Sequence, residues 1–141
     1  MQKALNGEPV IAIAPVSLNN GSATAIEVDV SRAYGVTYEL TVGATTGAIS
    51  VFKVQAAPTS GGSLTDIPGA SLSTLPGATD DRKIYAIHID LRDRDIDLFH
   101  KVTLTEDNTG TGIYGVNARL WSKEEAGGSA TARGYAAEVF A

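Results

Sequence analysis

Alternation of apolar and polar side chains with a period of two runs through most of this chain and predicts β-strands. It is cleanest from Val36 to Val42, where Val36, Tyr38, Leu40 and Val42 share one face and Thr37, Glu39 and Thr41 the other, between Gly35 and Gly43. Thr24 to Val30 repeats it, with Ile26, Val28 and Val30 opposite Glu27 and Asp29. Lys83 to Leu91 does so again, with Tyr85, Ile87, Ile89 and Leu91 inward and Ala86, His88 and Asp90 outward. Ala48 to Ala56 is apolar at nearly every position and reads as a central strand. Val10 to Leu18, broken at Pro15, precedes these, while Leu64 to Ile67, Phe99 to Thr105, Ile113 to Ser122 and Gly134 to Phe140 complete the set.

The segments between have turn chemistry. Asn19-Asn20-Gly21-Ser22 suits the positive φ angles of a tight hairpin, and Pro58-Thr59-Ser60-Gly61-Gly62-Ser63 reads as a flexible loop. Pro68-Gly69 reads as another turn, Ala70 to Asp81 as an extended loop, and Asp107-Asn108-Thr109-Gly110 and Ala126 to Thr131 as connections. Some eight or nine short strands with no helical crossover predict an all-β fold, an antiparallel jelly-roll-like β-sandwich. No internal repeat or long linker divides it, so residues 10–141 are expected to form one sandwich domain preceded by an extended arm over residues 1–9.

Composition narrows the function classes. The 141 residues carry 11 basic and 16 acidic side chains, a net charge of -5, which disfavours a nucleic-acid partner. With 0 cysteines there is no disulfide framework and no thiolate chemistry. The start, Met1 to Pro9, lacks a signal peptide's apolar core of about 7–15 residues, and no apolar run approaches the roughly 20 residues of a membrane span. A soluble protein that is not exported by that route, with no membrane partner, is expected.

Three groups of residues invite chemistry. The run Asp90-Leu91-Arg92-Asp93-Arg94-Asp95-Ile96-Asp97 offers alternate carboxylates to a hard cation such as calcium. It lacks the glycine and distal glutamate of a calcium-binding helix–loop–helix, and Arg92 and Arg94 interleave, so an internally paired turn is expected. His88, Asp90 and His100 match the ligand types of a two-histidine, one-carboxylate iron site. His100 follows Asp90 too closely for that arrangement, and both histidines are expected as ordinary surface or interface residues. The glycine-rich loops lack the Lys-Ser or Lys-Thr of a phosphate loop, no serine sits in a nucleophile elbow, and Asn20-Gly21-Ser22 reads as a turn before a glycosylation acceptor. The aromatics Tyr34, Tyr38, Phe52, Tyr85, Phe99, Tyr114, Trp121, Tyr135 and Phe140 fall about one per element, as core residues do, with Trp121 on the polar face of its strand as the candidate for a contact. No catalytic, cofactor or metal-binding residue is assigned, and no enzyme activity is expected.

The run Gly47 to Gln55 followed by Thr59-Ser60-Gly61-Gly62-Ser63-Leu64-Thr65-Asp66-Ile67-Pro68-Gly69-Ala70 resembles small structural proteins of tailed bacteriophages, most of all the head decoration, or cement, proteins. The resemblance covers about the first half of the chain, while the rest matches in rhythm and length. It implies a non-enzymatic protein that self-associates as dimers or trimers, without a cofactor. Such a protein, made in the host cytoplasm, binds the capsid surface of the virion across junctions of the major capsid protein. The low charged fraction (19%) agrees with surfaces that are buried against neighbours at small desolvation cost. The N-terminal arm, together with the Pro68 to Asp81 loop, is then expected to reach a neighbouring chain. The alternatives are another virion β-domain in tail, spike or baseplate that touches a glycan, and, more remotely, a small metal-dependent jelly-roll enzyme using His88, Asp90 and His100.

Overall fold

A computed structural model describes residues 6–92, 94, 96–107, 110–121 and 136–141. Among the described residues ten strands follow one another: β1 (Asn6–Leu18), β2 (Gly21–Ser22), β3 (Val28–Asp29), β4 (Gly35–Thr45), β5 (Ile49–Ala57), β6 (Thr65–Ser71), β7 (Ile84–Asp90), β8 (Phe99–Glu106), β9 (Gly112–Trp121) and β10 (Ala137–Phe140). They form two sheets, ordered β1-β9-β4-β7-β10 and β2-β8-β5-β6, with β3 also pairing β8. Without β10, this interleaving of early and late strands is the jelly-roll arrangement, and every pairing within it is antiparallel. β10 joins the edge of the first sheet parallel to β7. Among the described residues no helix is long and apolar enough to cross a membrane.

One core lies between the sheets. Val36, Tyr38, Leu40 and Val42 of β4 meet Phe52 and Val54 of β5 and Val102 and Leu104 of β8 there, all buried, as their alternation requires. β5 is central in its sheet, between β8 and β6.

Several expectations are corrected. The strand expected from Val10 begins at Asn6, pairing with Trp121, and its register slips around Pro15, which has no N–H to give the ladder and packs over Gly115. Asn20 and Gly21 do take positive φ, but they turn the chain from the first sheet into the second instead of closing a hairpin. Thr24 to Val30 is not one strand. Its backbone bonds to Leu104 from Ala23, to Ala12 from Ile26 and pairs with His100 at Val28, so it crosses between sheets and leaves Ile26 exposed. Pro68-Gly69 is an irregularity inside β6, an edge strand where a proline is tolerated and Gly69 supplies positive φ. The Pro68 to Asp81 segment is held by its own chain: Leu72 donates to Phe52 and Pro76 accepts from Ile49. The Pro58 to Ser63 loop is likewise docked, because Ser60 Oγ and the Gly61 N–H both donate to Glu27. The connection Ala126 to Thr131, residues 1–5, Ser122, Gly134, Tyr135, Asn108, Thr109, Asp93 and Asp95 lie outside the described residues.

Candidate functional site

Consecutive residues of a strand point to opposite faces, and this separates the two histidines. On β4, Thr37 faces outward and Tyr38 inward. The Thr37 hydroxyl is 2.8 Å from His88 Nδ1, while the Tyr38 hydroxyl is 2.8 Å from His100 Nδ1. His88 therefore lies on the outer face of the first sheet, whereas His100 projects from β8 into the core. Asp90 points to neither: its carboxylate takes Arg92 Nε at 3.0 Å and Nη2 at 2.5 Å, and this guanidinium holds it below the usual carboxylate range. The two-histidine, one-carboxylate set is not assembled, and among the described residues no three His, Cys, Asp or Glu side chains converge. In the acidic run, the described carboxylates pair locally, Asp90 with Arg92 and Asp97 with Arg94 at 3.5 Å.

The outer face of the first sheet is the most organised surface. Its middle row crosses four strands, with Phe140 of β10 opposite His88 of β7, His88 opposite Thr37 of β4, and Thr37 opposite Arg119 of β9. The indole of Trp121 donates to Thr37 Oγ1 at 3.1 Å, and His88 Nε2 pairs with the Glu138 carboxylate. An indole only donates and a carboxylate only accepts. A continuous row of hydrogen bonds therefore runs from Trp121 through Thr37 and His88 to Glu138. Phe140 stacks on the His88 ring with centroids 4.6 Å apart. Arg119 and Glu39 form a further ion pair beside this row.

This network explains why His88, expected as a surface residue, is buried along with Thr37 and Ala86. The sequence shows Glu138 and Phe140 only as members of a last strand. Nothing in their spacing says that this strand lies parallel beside β7.

Around the row the face carries exposed apolar side chains among polar ones. Phe140 is 54% exposed beside His88, and Ile11 and Ile113 are 49% and 48% exposed further along the face. A shallow hollow of about 280 Å³ lies there, lined by Pro15, Thr41, Gly43, Ile113, Tyr114, Gly115 and Asn117. Trp121, the expected contact residue, is half-buried with its N–H already engaged. The hydrogen-bond row ties β9, β4, β7 and β10 together across this face.

No protein family and no curated protein sequence matches the chain. Solved structures match its fold. The SPBc2 prophage-derived protein YomS superposes with a TM-score of 0.53 at 16% identity, over 86% of this chain and 98% of that one. The N-terminal endo-1,4-beta-D-xylanase 10B modules of Clostridium thermocellum give 0.49 at 10% identity, over 90% and 27% of the two chains. The PRD1 vertex protein gives 0.41 at 11% identity, over 84% and 90%. The likeness is one of fold: this chain is a jelly-roll β-sandwich domain.

Proposed function

We propose that this chain is a structural protein of a tailed-phage virion, decorating and stabilising the outer surface of the capsid by binding across junctions of the major capsid protein. It acts by binding, without catalysis or cofactor, and self-associates as a dimer or trimer. The observation that carries the reading is the outer face of the first sheet, crossed by the Trp121–Thr37–His88–Glu138 row and carrying exposed Phe140, Ile11 and Ile113. A rigid, weakly charged sheet face loses little side-chain entropy and little hydration on docking. Many such modest contacts repeated over a symmetric lattice add up to firm attachment. The sequence resemblance to decoration proteins and the fold shared with a prophage-derived protein agree with it.

The test is the copy number of the chain in purified particles, measured by quantitative mass spectrometry against the most abundant shell protein. A simple fraction of the shell protein's copies is expected. A few copies per particle would move the chain to tail, spike or baseplate, and its absence from particles would end the virion reading. In the same particles, Ile113→Ala, which removes an exposed apolar side chain from the face, should weaken attachment by about tenfold while the isolated domain melts as before.

A further inference from the structure

One end of the sandwich carries the loops that lead into β4 and β6, the loop from β7 to β8, and the paired residues Asn6 of β1 and Trp121 of β9. Tyr34 is fixed there by its backbone: its N–H donates to the Trp121 carbonyl at 2.9 Å and its carbonyl accepts from Leu91 at 2.8 Å. Arg94 donates back to Leu91, Asp97 to Arg94, and Val30 to Leu98, so the β7–β8 loop is tied on both sides of Ile96. Leu64 precedes Thr65, which pairs with Ala56 next to the Ala57–Phe99 pair at this same end.

These anchored loops leave large apolar side chains in solvent. Ile96, at 69%, is the most exposed of its kind among the described residues, and Tyr34 and Leu64 are 55% and 36% exposed. The loops at the opposite end expose no apolar side chain of that size among the described residues. Apolar side chains gathered at one end and held outward by their backbones mark an interaction site. The part of the chain outside the structure meets it, since residues 1–5 lead into Asn6 at this end. Extended, they reach roughly 17 Å beyond the sheet, with Met1, Lys3 and Leu5 on one face. They contain no Gly, Pro, Asn, Asp or Ser to turn the chain back over its own sandwich. Their one charge, Lys3, is opposite in sign to Asp29, which pairs with Phe99 at the same end.

We propose that the end of the sandwich bearing Tyr34, Leu64 and Ile96 is the docking surface for residues 1–5 of a second copy of this chain. Met1 and Leu5 of the incoming arm cover the exposed apolar side chains, and Lys3 between them faces Asp29. Because the copies are identical, each arm that is given up is matched by one that is received, and a two-fold pair closes the exchange. The inference rests on the self-association in the reading above and gives it a surface. It leaves the outer face of the first sheet to the shell.

The experiment is sedimentation velocity of the full chain over a dilution series, with variants beside it. The wild-type chain is expected to form an assembly that dissociates on dilution. Removing residues 1–5, or Ile96→Ser, should raise its dissociation constant by at least about tenfold, and Ile96→Ser should leave the melting temperature unchanged because Ile96 lies outside the core. Should that variant fail to fold, Tyr34→Ser takes its place with the same expectation. The chain has 0 cysteines, so placed ones report contacts cleanly. Mixing a Leu5→Cys chain with an Ile96→Cys chain and oxidising should join those two positions of different chains, identified by mass spectrometry of the linked peptides. A wild-type chain monomeric at every concentration overturns the proposal. So does an assembly that keeps its affinity without residues 1–5, or a doubly substituted chain whose disulfide closes only within itself. Copy number in particles is read separately: an arm-dependent assembly of a chain absent from particles supports this docking surface and ends the virion reading.

Discussion

His100 shows how one residue couples the core to pH. It is fully buried, its Nδ1 is held by the Tyr38 hydroxyl at 2.8 Å, and its ring lies 5.9 Å from that of Tyr38. Burial lowers its pKa from 6.5 to about 4, against a backbone interaction with Asp97 that favours the charged form, while Arg94 lowers it further. Burial likewise keeps the Tyr38 hydroxyl protonated well above its ordinary range. An unfolded chain takes up a proton on this histidine near pH 6.5 and the folded chain only near 4, so unfolding binds a proton between those values. Stability is therefore complete above about pH 6.5 and falls as the pH drops toward 4, by about 3 kcal/mol in all. Denaturant melts at stepped pH should show this slope. His100→Gln should flatten it, whereas the carboxylates held low by partners, such as Asp66 by Lys53 and Gln55 and Asp90 by Arg92, add their loss only below the usual carboxylate pKa in both proteins.

Among the elements, β10 does more than its length suggests. Its residues pair in parallel with Tyr85 to His88, Ala137, Val139 and Ala141 pack against the core, and Glu138 and Phe140 cover the His88 ring. The Ala141 backbone closes the arrangement by donating to His88 and accepting from Asp90. Ending the chain after Ala136 removes these bonds and opens the edge of β7. The expected cost is about 2–3 kcal/mol, a fall in melting temperature of about 5–10 °C with the β-sheet circular dichroism retained. An unchanged melting curve would show that β10 is an ornament on a jelly roll complete without it. β6 makes the complementary point at the other sheet's edge, where Pro68 and Gly69 interrupt a strand that still pairs with β5.

For the whole molecule, the pairings that matter join distant parts of the chain: β1 with β9, β4 with β9, and β5 with β8. Loop closure must be met before any of them forms, so refolding is expected on the millisecond-to-second scale of β-sandwiches and not in microseconds. The chain has 1 tryptophan, Trp121, half-buried against Thr37 and paired with Gly35 across β4, so its fluorescence reports closure of the first sheet in a stopped-flow experiment. A microsecond phase carrying the full amplitude would contradict this. What was legible in the chain was everything that depends on neighbours in sequence. The period of two determined that Val36, Tyr38, Leu40 and Val42 face a core, that β5 is central and that the fold is an all-β sandwich, because a strand with one apolar face has no other stable home. Only the tertiary structure decided which strands are neighbours, and with that the fate of the polar residues. It set His88 and His100 on opposite sides of one sheet, laid β10 parallel to β7, and took Ile26 out of the strand its pattern described. Alternation specifies which face of a strand is buried; the company that face keeps is chosen by packing and hydrogen bonding across a sandwich whose partners lie far apart in the chain.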